Sequence, residues 1–137
     1  MRPRLAQREI ALAGVALLAA VVSLALTSRG RDSDSTLPEP VGSYTALAGS
    51  SGPGAFGKKT ACGGVLAPET VGLAHPVLPC GVRIYVTYGR KHVLAPVIDR
   101  GPYVPGRTFD LTDALARRLG LRGVQQIHWS YAVTSSK

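Results

Sequence analysis

The longest apolar stretch of the chain spans residues 10–27, IALAGVALLAAVVSLALT, and carries no charge. Eighteen helical residues rise about 27 Å at roughly 1.5 Å each, enough to cross the hydrocarbon of a bilayer. Arg2, Arg4 and Arg8 precede it, and basic flanks are retained on the cytoplasmic side. The pattern predicts a cytoplasmic N-terminus over 1–9, a transmembrane anchor over 10–27, and an extracytoplasmic remainder. Arg29 and Arg31 weaken the orientation signal without reversing it. The alternative is a cleaved signal peptide and a secreted domain, but Ala25-Leu26-Thr27 is a poor small-x-small cleavage site. Residues 28–42, SRGRDSDSTLPEPVG, are polar, charged and Pro-containing, the composition of a flexible tether.

Past the tether the hydrophobic period changes to two. Val82, Ile84, Val86 and Tyr88 alternate with Arg83, Tyr85 and Thr87, which predicts a strand. Gly89-Arg90-Lys91 reads as a turn. His92 to Asp99 is apolar on both faces, as a buried strand is, and Pro96 within it calls for an edge position or a bulge. Ile127, Trp129, Tyr131 and Val133 alternate with His128, Ser130 and Ala132 in a final strand, with Trp129 on the core side. One segment has helical period. Over 110–119, Leu111, Leu115 and Leu119 fall on one face, Asp110 or Thr112 can cap the start, Gly120 can end it, and Arg117 and Arg118 suit the last turn. These elements predict an all-β domain over 43–134 with one short helix, a barrel with a helical crossover. Periodicity alone does not name the barrel.

Length and composition narrow the picture. The chain has 137 residues, room for one domain after the tether. Its 16 Gly and 10 Pro suit tight turns. The formal net charge is +8, and half the excess lies in residues 1–31, beside the apolar segment. The remaining basicity suits an anionic partner such as a wall polymer or a phospholipid surface. With no long basic stretch and no recognisable motif, nucleic acid is not an expected partner. Cys62 and Cys80 in an exported domain read as one disulfide; two buried thiols are the alternative. No metal-ligand spacing and no nucleotide-binding loop occur, so no metal and no cofactor are expected.

Four segments carry possible chemistry: Thr60-Ala61-Cys62-Gly63-Gly64; Leu73-Ala74-His75; Leu78-Pro79-Cys80-Gly81; and Ile98-Asp99-Arg100-Gly101-Pro102-Tyr103, leading to Gly106-Arg107 and Phe109-Asp110-Leu111-Thr112. In this order they resemble the double-psi β-barrel of the rare lipoprotein A (RlpA-like) family, which contains septal-ring lytic transglycosylases and shares its fold with expansins. The resemblance covers roughly residues 43–133. Where the family commonly carries an acidic residue soon after its Thr-Ala motif, this chain has Gly63 and Gly64.

The resemblance implies a monomeric double-psi β-barrel acting on peptidoglycan glycan strands, with Asp99 as acid/base and His75 as its assistant. A carboxyl shielded at a strand end can donate a proton to a glycosidic oxygen; the other reading of Asp99 is a turn residue bonded to backbone N–H groups. Arg100 and Arg107 are candidates to bind anionic wall groups, or to pair with Asp99 and Asp110. Asp110 is a candidate substrate contact or a helix cap. Tyr44 and Tyr103 are candidates to stack on sugar rings. The functional alternative is a non-catalytic, expansin-like module that binds wall glycan in the same trough.

Overall fold

The computed structural model describes residues 37–134. The segments read as cytoplasmic terminus, membrane anchor and most of the tether lie outside the described residues. Six strands form the fold: β1 Glu39–Ser50, β2 Leu73–Ala74, β3 Arg83–Tyr88, β4 Lys91–Asp99, β5 Phe109–Leu111 and β6 Gln125–Val133. They close into a barrel in the order β1-β5-β2-β4-β3-β6, with β6 returning to β1. Pairing is parallel between β1 and β5 and between β2 and β4, and antiparallel elsewhere. Closure leaves no open sheet edge.

The alternation read from sequence turns side chains as it requires. Ile84 and Val86 of β3, Ala95 and Val97 of β4 and Ile127 of β6 point inward and are buried. Ala48, Leu73, Phe109 and Leu111 fill the interior from the other strands. Among the described residues the core lies between Ala48 and Ile127, within one compact unit that begins at Leu37. Pro96 pairs with Arg83. The next residue, Val97, donates its N–H to Val82 O, so the Pro96 nitrogen faces β2, just before β2 begins to pair. That β2–β4 pairing shifts register between Leu73 and Ala74, an irregularity of the kind a strand proline demands.

Three elements differ from the sequence reading. Strand β1 begins at Glu39, so pairing reaches into the stretch read as tether: Glu39 and Pro40 lie opposite Val133 and Ala132. The helix, α1, covers Asp113–Leu119 rather than starting at residue 110. Its N-cap is Thr112, whose Oγ1 accepts from Leu115 N, and Gly120 ends it in the left-handed region at φ 69°. Asp110 is therefore not a cap; it lies in β5, because Phe109 and Leu111 both enter the core and force strand alternation around it. Thr112 does double duty, since Oγ1 also accepts from Gly72 N at 3.2 Å. It thereby joins the start of α1 to the chain entering β2.

Candidate functional site

The closed topology brings the candidate residues to one end of the barrel. Ala74 in β2 lies opposite Asp99 of β4 on one side and Asp110 of β5 on the other. The two carboxylate residues are thus two strands apart, about 10 Å between Cα atoms at roughly 4.8 Å per strand. His75 follows Ala74 between them. Three loops surround this end: residues 60–65, 75–82 and 100–108.

Asp99 is half-buried at the end of β4. Its Oδ1 accepts two backbone amides, Ala61 N and Arg100 N, each at 2.8 Å. Its Oδ2 takes no hydrogen bond among the described residues and is not sealed from solvent. One oxygen is fixed and the other is presented. The sequence contemplated a guanidinium on this carboxylate; the structure sends Arg100 elsewhere. Arg100 Nη1 donates to Leu78 O at 2.7 Å and His75 O at 3.3 Å, and Nη2 reaches Cys80 Sγ at 3.5 Å. Arg100 is thus a brace for the loop that carries His75.

His75 is held through its backbone and its ring. Its N–H donates to Asp99 O at 3.2 Å. Its Nδ1 accepts from Val77 N at 3.1 Å and Leu78 N at 2.9 Å. Nδ1 therefore carries no proton, and the neutral ring keeps its proton on Nε2. Burial first, and the Arg100 cation second, push the His75 pKa below the ordinary histidine value. Both effects disfavour the imidazolium. The ring lies 4.9 Å from that of Phe109, centroid to centroid. Phe109 touches Trp129 at 5.4 Å, and Trp129 stacks on Tyr44 at 4.7 Å. A continuous row of rings therefore links His75 to the half-exposed Tyr44.

Asp110 and Arg107 form a pair of their own. Arg107 Nε lies 3.1 Å from Asp110 Oδ1, and Nη2 lies 3.5 Å from Oδ2. The closer contact is out of line for a hydrogen bond, so the attraction is chiefly that of charge. The pair covers Gly49, the β1 residue opposite Asp110. A Cβ there would stand 3.0 Å from Arg107 Cδ and 3.3 Å from Asp110 Oδ1. Tyr103, on the loop after Asp99, is 78% exposed, a ring face available to a ligand.

Cys62 and Cys80 form the expected disulfide, joining the loop that supplies the Ala61 amide to the loop that follows His75. With Arg100, it completes a ring of contacts around the carboxylate: Asp99 Oδ1, Ala61 N–H, Cys62, Cys80, the Arg100 guanidinium, and the Arg100 N–H back to Oδ1. Sequence reasoning missed the backbone donors of this ring, Ala61, Val77 and Leu78, because an amide leaves no side-chain signature. Among the described residues no group of three His, Cys, Asp or Glu converges to hold a metal. A groove of about 630 Å³ lies on the outer face of β3 and β4, lined by Pro38, Tyr85, His92 and Leu94 among others. It includes none of the candidate site residues.

A family profile described as lytic transglycolase matches residues 50–131. The endolytic peptidoglycan transglycosylase RlpA of Yersinia pestis is 41% identical over 81 residues, 58% of this chain and 22% of that protein. That of Haemophilus influenzae (strain ATCC 51907 / DSM 11121 / KW20 / Rd) is 32% identical over 105 residues, 74% of this chain and 34% of that protein. The probable endolytic peptidoglycan transglycosylase RlpA of Aquifex aeolicus (strain VF5) is 44% identical over 68 residues, 47% and 30%. The chain thus spans between a fifth and about a third of these curated relatives. Among solved structures, the Streptomyces papain inhibitor superposes with a TM-score of 0.54 at 21% identity, over 69% of this chain and 98% of that one. At that identity the likeness concerns the fold alone, and it shows a barrel of this kind standing as nearly an entire chain.

Proposed function

The chain belongs to the lytic transglycolase family, with an RlpA-like double-psi β-barrel, and from that premise we propose that it cleaves peptidoglycan glycan strands without water. The bond at stake joins N-acetylmuramic acid to N-acetylglucosamine. In this scheme protonated Asp99 gives its proton from Oδ2 to the glycosidic oxygen as the bond from the muramyl C1 breaks. The resulting carboxylate takes the proton of the muramyl 6-hydroxyl, whose oxygen closes on C1. The products are a 1,6-anhydromuramyl end and a free 4-hydroxyl. The carboxyl is regenerated, and no second carboxylate is needed, unlike the two-carboxylate hydrolases. His75 donates from Nε2 to a substrate oxygen and stays neutral, a role suited to orienting the sugar. Tyr103 and Tyr44 offer ring faces to the saccharide.

The observation that carries this reading is the asymmetric carboxylate: Asp99 Oδ1 fixed by two amides, Oδ2 open. The test is incubation of residues 37–137 with purified peptidoglycan and with peptide-stripped glycan strands, followed by mass spectrometry. The reading expects 1,6-anhydromuramic products that disappear in Asp99→Asn. Co-sedimentation with the wall and no products, from wild type and variant alike, would establish instead the non-catalytic binding module. Gly63 and Gly64, standing where relatives commonly carry an acid, are the feature that favours that second reading. The same proposal places the barrel outside the cytoplasm as a monomer, held to the membrane by residues 10–27.

A further inference from the structure

The barrel has a second charged end. Strand β4 runs from Lys91 to Asp99, so its start lies about 26 Å from the candidate site at roughly 3.3 Å per residue. Arg90 and Lys91 occupy the β3–β4 turn there, both exposed. The C-terminus of α1 packs beside them: a Cβ on Gly120 would stand 3.9 Å from Lys91 Nζ. Arg118 and Arg122 lie two residues to either side of Gly120, and both are exposed. Four cations therefore lie at, or within two residues of, this contact between the β3–β4 turn and the end of α1, and among the described residues none of them is ion-paired.

The acidic residues do not compensate. Asp99 and Asp110 belong to the other end, and Glu39 opens β1 opposite Val133. Asp113 is taken by Arg117 at 3.1 Å, and Glu69 adjoins Pro68, whose carbonyl also receives Arg117. Holding four like charges close together costs self-repulsion that an anionic partner relieves.

We propose that this pole, Arg90, Lys91, Arg118 and Arg122, is a docking surface for an anionic phospholipid membrane, one that leaves Asp99 directed away from the lipid. Val124 selects lipid over a soluble polyanion. It is 50% exposed, two residues beyond Arg122, and an apolar side chain among cations gains from a bilayer interface but gains nothing from a hydrated polymer. The inference is independent of the Asp99 chemistry and survives if the barrel proves to be only a binder.

The experiment is sedimentation of residues 37–137 with phosphatidylcholine vesicles, with and without phosphatidylglycerol. Binding is expected only with phosphatidylglycerol and should fall steeply with salt. Each removed cation should weaken it about 5-fold, so Arg118→Gln/Arg122→Gln should lose roughly 25-fold. Lys59→Gln/Arg83→Gln removes equal charge near the Asp99 end and should keep most of the affinity. Val124→Asn should weaken binding even at low salt. These exposed substitutions should leave the urea midpoint in place, so a loss reports on docking. Equal losses in the two double variants would reduce the effect to net charge and overturn the proposal. So would absence of binding, or displacement by a soluble glycerol-phosphate polymer with Val124→Asn silent.

Discussion

Breaking the Cys62–Cys80 bond, by reduction or as Cys62→Ala/Cys80→Ala, tests the ring of contacts around Asp99 directly. The two residues are 18 apart. Freeing a loop of that length returns about 3 kcal/mol of chain entropy to the unfolded state. A domain of this size has about 5–15 kcal/mol in total. With a urea slope of roughly 1–3 kcal/mol per molar, the midpoint should fall by about 1–3 M. The local effect should exceed the global one. Ala61 N–H is held on Asp99 Oδ1 and Cys62 N–H on Ile98 O by a loop that the disulfide anchors. In native-state hydrogen exchange, Ala61, Cys62, Val77 and Leu78 should lose protection far beyond the global decrement, while Val86 and Ile127 in the barrel should follow the global change alone. Uniform loss of protection would mean the disulfide acts only on the unfolded chain. An unmoved midpoint, with Ala61 still protected, would refute the reasoning altogether.

Three further outcomes follow from single contacts. The folded His75 pKa is depressed by burial and Arg100, so above about pH 6.5 both states are neutral and stability is flat. As pH falls below that value the unfolded state binds a proton first, and stability drops until the folded His75 also protonates; His75→Asn, whose amide oxygen can still receive Val77 and Leu78, should remove this slope in urea melts from pH 5 to 8. Thr112→Ala strips the α1 cap and orphans Gly72 N–H; about 2–3 kcal/mol should be lost by denaturant titration, and recovered largely by Thr112→Ser. Gly72→Ala would set a Cβ 2.6 Å from Ile98 Cδ1; the overlap should cost about 1–3 kcal/mol and shrink in an Ile98→Ala background, as a double-mutant cycle would measure.

The long elements were legible because each repeats its pattern several times. Strand β3 shows alternation over six residues and β6 over seven, Ile127–Val133, and Leu115 and Leu119 fall four apart on the buried face of α1. Strand β2 has two residues and β5 has three, too few for any period to register, yet these two carry Ala74 and Asp110 and set the site. Asp110 shows the conflict plainly. Local chemistry makes it a good helix cap, but burial of Phe109 and Leu111 on either side outweighs the cap, which Thr112 then supplies. The candidate chemistry was legible as side chains, Asp99 and His75 above all, while the amides that aim them were not. Arg100 was read as a possible ligand for anions, and no property of the sequence showed that Leu78 O and Cys80 Sγ would come within its reach.

The two carboxylates at this end are unequal for a physical reason. Asp110 faces a guanidinium across Gly49, with both oxygens directed at Arg107, and it could serve as a base only by giving up that charge pairing. Among the described residues no cation pairs with the Asp99 carboxylate; two neutral amides orient it through Oδ1, and Oδ2 takes no hydrogen bond. A reaction that draws its nucleophile from the substrate itself asks for one mobile proton on one well-aimed oxygen, and a second charged carboxylate nearby would only compete for it. Pairing Asp110 with Arg107 while aiming Asp99 with backbone is an arrangement compatible with the reaction proposed above. His75, kept neutral by burial and by two amides on Nδ1, adds a hydrogen-bond donor there without adding a competing charge.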